Sequence, residues 1–217
     1  MRKIAAGCVA ACLSLGLGLG AGLSALPSAQ AAGVNEGPKE LAHGLRYIKA
    51  GDFPRAIVHL TAAIETRQLE PKRLSDAYYF RGRALTRAQH PDLALADFSQ
   101  AVLYWPENTK ALRVRCRALT IKGNLEKAAT DCDQAILLAP DDWRGWFTRG
   151  LMFDAGQKRD QARDDFAKAQ QRMPDGMEAS PIVARQFREY GLMKEETPPP
   201  ADTSPPGGNT LPVWSAD

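Results

Sequence analysis

The chain has 217 residues, with 28 Lys and Arg against 25 Asp and Glu and a formal charge of +3. That near balance excludes a global attraction to nucleic acid, and the length accommodates one folded domain once an N-terminal segment of about thirty residues is set aside. Four cysteines in two pairs, Cys8 with Cys12 and Cys116 with Cys132, are too few for a disulfide-rich scaffold.

The chain opens with the basic Met1-Arg2-Lys3, continues without charge from Ile4 to Leu26, and reaches Ala29-Gln30-Ala31, the small-x-small form of a signal-peptidase site. Residues 1–31 are therefore expected to be a signal peptide, cleaved after Ala31 and leaving no stable membrane insertion, with the mature protein periplasmic or secreted. The alternative is an uncleaved N-terminal anchor, because an uncharged stretch of this length is long enough to span a bilayer. Cleavage would remove Arg2 and Lys3, the only charged residues of the segment, and lower the formal charge from +3 to +1. Cys116 and Cys132 would remain, in a compartment that permits one disulfide without demanding it.

Beyond residue 36 the chain aligns with itself at a spacing of 34 residues. Arg81-Gly82 falls on Arg115-Cys116 and Arg149-Gly150; Ala94, Ala128 and Ala162 coincide, as do Phe98, Cys132 and Phe166, and Pro106, Pro140 and Pro174. An earlier copy lies at a spacing of 38, with Gly44, Ala56, Leu60 and Ala63 on Gly82, Ala94, Phe98 and Ala101. The four extra residues near Pro71 to Leu74 equal about one helical turn, so they lengthen the next helix without rotating its buried face. Small residues in the Gly and Ala columns let two helices approach closely. Gly51-Asp52, Gly123-Asn124 and Gly156-Gln157 are turn signals within repeats, while Asn108 and Asp142 are placed to cap the following helices.

Period, residue types and order resemble the tetratricopeptide repeat, with Trp146, Gly150, Phe153, Ala162, Phe166, Ala169 and Pro174 giving the fullest match. The resemblance implies an all-α, right-handed solenoid of four helix-turn-helix repeats, at 37–70, 75–108, 109–142 and 143–176, each burying its face only by stacking on a neighbour. A capping helix is expected at 178–192, with Ser180 as its N-cap, Pro181 in its first turn and Gly191 as its stop. Val183, Phe187 and Tyr190 share its apolar face. The Pro-rich stretch 193–217 is too poor in apolar residues to fold and is expected to be a disordered tail.

No Walker loop, Rossmann glycine run, serine elbow or HExxH is present, and His43, His59 and His90 fall in no metal-ligand spacing, so no enzyme, cofactor or metal is expected. His43 and His59 occupy the columns that hold Arg81, Arg115, Arg149 and Asp97, Asp131, Asp165 in the other repeats. Each Arg precedes its Asp by sixteen residues, a separation that places the two at one level on facing helices of a hairpin. The alternative is independent surface charges, worth little even when paired. Cys116 and Cys132 stand in the small and Phe columns of the third repeat. Free thiols filling the core are the simpler reading, and a disulfide stays open where helices meet closely.

The resemblance also implies that the first helix of each repeat lines a concave groove. Its inward positions hold Tyr79, Arg83 and Arg87, then Lys110, Arg113 and Arg117, then Arg144, Phe147 and Leu151. In the first repeat the same positions hold Pro38, Leu41, Leu45, Ile48 and Lys49, which lack the Lys and Asn of a chaperone-tail carboxylate clamp. The expected function is a non-catalytic protein-protein interaction scaffold of the bacterial envelope, binding a protein or peptide segment of acidic character in a partly basic groove. Two alternatives stay open: a self-associating structural subunit, and a redox or accessory factor using Cys116 and Cys132.

Overall fold

In the computed structural model the described residues are 35–174 and 179–193. The expected signal peptide, and the expected tail from residue 194 onward, lie outside them.

Among the described residues the chain forms nine helices and no strand. They are α1 (Glu36–Ala50), α2 (Phe53–Glu65), α3 (Pro71–Arg87), α4 (Pro91–Tyr104), α5 (Thr109–Ile121), α6 (Leu125–Leu138), α7 (Trp143–Ala155), α8 (Arg159–Gln171) and α9 (Pro181–Glu189). The first eight pair in sequence order as four hairpins, and each hairpin packs on the next. None of these helices is long and apolar enough to cross a membrane. Helix α3 has 17 residues where α5 and α7 have 13; its extra turn lies at the start, with Pro71 in the position that needs no amide hydrogen.

The hairpins close on one recurring contact. A Cβ built on Gly44 would lie 2.5 Å from Leu60, on Gly82 2.6 Å from Phe98, and on Gly150 2.6 Å from Phe166, so the large side chain of the second helix rests directly on the backbone of the first. In the third repeat the same two columns hold Cys116 and Cys132, which are disulfide-bonded with their Cα atoms 5.6 Å apart. Free thiols are therefore not the arrangement adopted. The small-residue column brings the helices near enough for a covalent bridge to replace the Gly-on-Phe contact.

Helix starts are capped much as their residues predict: Asp52, Asn108, Asn124 and Asp142 each accept a backbone N–H in the following turn. Asn108 is also buried, and its amide donates to Ser75 Oγ, which in turn donates to the carbonyl of Ala101, linking three helices through one satisfied polar chain. Ser180 departs from expectation. It occupies the N-cap position of α9, with Pro181 next, but its side chain makes no capping bond.

The turns inside the hairpins also depart from the glycine signals. The left-handed residue is Gly51 (φ 75°), Gln89 (63°), Gly123 (76°) and Gln157 (58°), one column throughout; Gly156 precedes it with an ordinary φ of −83°. Helix α9 ends the array by burying Val183, Phe187 and Tyr190 against Phe147 and Phe166, with Gly191 in the left-handed region as its stop. Arg185 and Glu189 stay exposed.

Candidate functional site

Two arginine columns emerge from the repeats, and they do different things. In the first, Arg81 donates through Nε and Nη2 to both oxygens of Asp97 at 2.8 and 2.7 Å, Arg115 to Asp131 at 2.6 Å twice, and Arg149 to Asp165 at 2.7 and 3.0 Å. The three carboxylates are 5%, 4% and 2% exposed, so these are largely buried, bidentate pairs rather than independent surface charges. The spare Nη1 of Arg81 reaches Thr61 at 3.1 Å and that of Arg149 reaches Asp133 at 2.7 Å, each in the preceding repeat. The ladder therefore serves the fold, and its arginines are committed to it.

The second column set is the candidate groove. Arg113 on α5 feels the charges of Arg83 on α3 and Arg144 at the start of α7, together with Tyr79 and Asp142. Burial depresses the Arg113 pKa from the ordinary arginine range; repulsion from Arg144 and Arg83 adds to this, and Asp142 and Tyr79 oppose it. Arg83 lies over the ring of Tyr79, 5.7 Å from its centroid. Arg144 is 3.4 Å from Asp142, whereas among the described residues Arg83, Arg87, Lys110, Arg113 and Arg117 enter no ion pair. Arg87, Lys110, Arg117 and Arg144 are exposed, and Arg83 and Arg113 half-buried.

The apolar members of the expected set are placed differently. Tyr79 is 5% exposed and Phe147 8%, and both belong to core clusters. Phe147 meets the ring of Phe187 at 5.9 Å, and Leu151 packs into the same cluster, so α9 covers the last repeat where a ligand was expected. Asp154, also on α7, accepts a hydrogen bond from Tyr190. What is left open to a ligand is mainly cationic.

The first repeat holds a constellation that linear motifs do not show. Glu40 and His43 are three residues apart on α1, and His59 comes across from α2. His59 Nδ1 is 2.7 Å from Glu40 Oε2, and one ligand atom from each of Glu40, His43 and His59 lies within 4.8 Å of the others. The histidines fall in no metal-ligand spacing along the chain because the hairpin, not the sequence interval, brings them together.

A family model for the tetratricopeptide repeat matches residues 79–142. Tetratricopeptide repeat protein 36 of Xenopus tropicalis is 33% identical over 90 residues, 39% of this chain and 45% of that protein, so the match spans under half of the relative's length. Among solved structures, PilF of Pseudomonas aeruginosa superposes with a TM-score of 0.59 at 22% identity, covering 71% of this chain and 67% of that one. YrrB, a TPR protein with an unusual peptide-binding site, gives 0.58 at 19% over 70% and 74%. MamA gives 0.56 at 22% over 65% and 80%. The match over residues 79–142 identifies tetratricopeptide repeats there, and the repeat columns, the four stacked hairpins and these structural likenesses together give the described residues the tetratricopeptide-repeat fold.

Proposed function

We propose that the protein is a non-catalytic scaffold that holds an extended acidic segment of a partner protein across α3, α5 and α7. The observation that carries this is Arg113: a half-buried guanidinium set between Arg83 and Arg144, with no carboxylate paired to it among the described residues. Arg144 is paired with Asp142, but Arg113 is not paired and its hydration is reduced by burial, so an incoming carboxylate would relieve both its lost hydration and the repulsion from Arg83 and Arg144. Arg87, Lys110 and Arg117, which the repeat positions assign to the same inward face, are exposed and would add to the positive surface. A peptide-binding site on YrrB, a protein of the same fold, supports the choice of ligand class.

Binding of a fluorescent, Glu-rich decapeptide measured by anisotropy tests the proposal. Replacing Arg83, Arg113 and Arg144 together by Gln should weaken it by about tenfold, from roughly half a kcal/mol per exposed charge contact, and added salt should weaken it further. Arg185→Gln with Arg188→Gln on α9 is the control. Loss with the α9 pair but not with the groove set would place the binding face elsewhere.

Burial of both sulfurs, at 0% and 1% exposure for Cys116 and Cys132, favours a structural bridge over a redox role, since thiol exchange requires access. We place the mature protein in the bacterial envelope on the strength of the Met1 to Ala31 pattern. N-terminal sequencing of protein released by osmotic shock should read from Ala32, and a membrane-retained chain with Met1 intact would contradict it.

A further inference from the structure

Three of the four hairpins are closed at one level by an Arg-Asp pair, and the first is not. There His43 stands in the arginine column and His59 in the aspartate column, and two imidazoles cannot reproduce a guanidinium-carboxylate fork. Instead Glu40, one helical turn before His43, supplies the carboxylate, and its oxygen meets His59 Nδ1 at 2.7 Å. We propose that Glu40, His43 and His59 form a binding site for a first-row divalent transition-metal cation of the zinc class, which bridges α1 and α2 where the other repeats use an ion pair.

The donor set selects the ion. Two imidazole nitrogens and one carboxylate oxygen suit zinc and its neighbours, whereas calcium and magnesium favour all-oxygen shells. Geometry is close to what coordination requires. Tetrahedral zinc at about 2.0–2.1 Å from nitrogen or oxygen separates its ligand atoms by about 3.3 Å, and the three atoms here already lie within 4.8 Å of one another. Glu40 and His59 would spread slightly from 2.7 Å, a side-chain adjustment within fixed helices.

The surroundings restrain the ligands. The ring of Tyr47 stacks on that of His59, with centroids 5.1 Å apart and planes at 15°, while His43 meets His59 edge-on at 5.4 Å. Glu40 and His59 keep 24% and 28% of their side-chain surface, enough for an ion to enter from solvent. The local cations Arg46 and Arg55 are held over the Tyr47 ring, 5.7 and 5.8 Å from its centroid. Three protein ligands leave a coordination position for water or for a donor atom of a bound segment.

The test is a zinc titration of the full chain carrying no oligohistidine tag, followed by calorimetry, with cobalt(II) absorption as a second readout. The expected result is one zinc per chain, with affinity falling at least about tenfold in His43→Ala, in His59→Ala and in Glu40→Gln, the range seen when even supporting groups of a metal site are removed. His90→Ala removes the remaining histidine, exposed at the start of α4, and should change nothing. Cobalt should give the visible bands of a four- or five-coordinate nitrogen-oxygen site in the unmodified chain, which needs no variant to fold. Absence of those bands, or zinc binding that survives in the His43→Ala, His59→Ala double variant, would overturn the proposal.

Discussion

Arg149 grips both carboxylate oxygens of Asp165 in its own repeat and sends its remaining Nη1 to Asp133 in the repeat before, so one guanidinium ties a hairpin shut and joins it to its neighbour. Its pKa is raised, first by the bond to Asp165 and also by that to Asp133, against the opposing effect of burial. Arg115, the corresponding residue of the third repeat, has Asp131 as its sole hydrogen-bonding partner among the described residues. Removing one member of a mostly buried pair typically costs about 3–5 kcal/mol. Asp131→Ala should therefore lie toward the upper end and Asp165→Ala toward the lower, because Arg149 retains Asp133. Urea unfolding of the two variants checks the order, and a larger loss for Asp165→Ala would show that the inter-repeat bond does not compensate.

The Cys116-Cys132 bridge closes a sixteen-residue separation, and a loop of about that length is stabilised by roughly 3 kcal/mol through restriction of the unfolded chain. Reduction, or Cys132→Ser, should lower stability by about that amount. A sharper expectation comes from the neighbouring repeats. The pair Cys116→Gly with Cys132→Phe recreates the Gly82-Phe98 and Gly150-Phe166 contacts and should recover part of the loss, whereas Cys132→Phe alone meets the Cys116 side chain and should be the worst of the set. Denaturation midpoints under reducing and oxidising conditions measure all three.

The repeat columns made the hairpins legible because their small and large positions state which backbones touch, and the sixteen-residue Arg-to-Asp interval is itself a distance around a hairpin. Three features escaped for identifiable reasons. Glu40 joins His43 and His59 from outside their columns, so no comparison between repeats marks it. Phe147 and Leu151 sit at inward positions of the last repeat, but α9 fills that space, which a rule written for internal repeats does not include. The left-handed turn residue in two hairpins is Gln89 or Gln157, and glutamine carries no turn signal, while Gly156 drew attention to the residue before it.

Tyr190 gives a prediction at high pH. Burial, followed by its hydrogen bond to Asp154, pushes its phenol up to about 12, with Arg159 opposing. An unfolded tyrosine loses its proton near pH 10, so between about pH 10 and 12 the folded chain holds more protons than the unfolded one at this site. The stabilisation is fully present below pH 10 and is lost as pH rises through the folded value. The stability advantage of the unmodified chain over Tyr190→Phe should be constant from pH 7 to 9 and shrink toward pH 12. Unfolding free energies at four pH values suffice, and a difference that does not change with pH would separate Tyr190 from this linkage.

The turn column supplies the last prediction, because its four members differ only in side chain. Gly51 and Gly123 adopt their left-handed φ without steric cost, while Gln89 and Gln157 hold φ values of 63° and 58° against the clash between Cβ and the following carbonyl. That conformation costs a non-glycine residue roughly 1–2 kcal/mol, offset in part by the greater freedom that glycine has in the unfolded chain. Gln157→Gly should therefore raise stability by about 0.5–1 kcal/mol, and Gly123→Gln should lower it by a similar amount. Moving the change one residue earlier reverses the logic. Gly156 has φ −83°, and a Cβ there would meet Leu125 Cδ1 at 3.2 Å, the end of a side chain that can shift. Gly156→Ala should be neutral or slightly stabilising, while Gly150→Ala drives its Cβ to 2.6 Å from the buried Phe166 ring and should cost about 1–3 kcal/mol. Thermal midpoints of these variants decide whether the column governs the turns: equal responses to Gln157→Gly and Gly156→Ala, with no penalty at Gly150, would mean that the backbone register within the fourth hairpin is other than described.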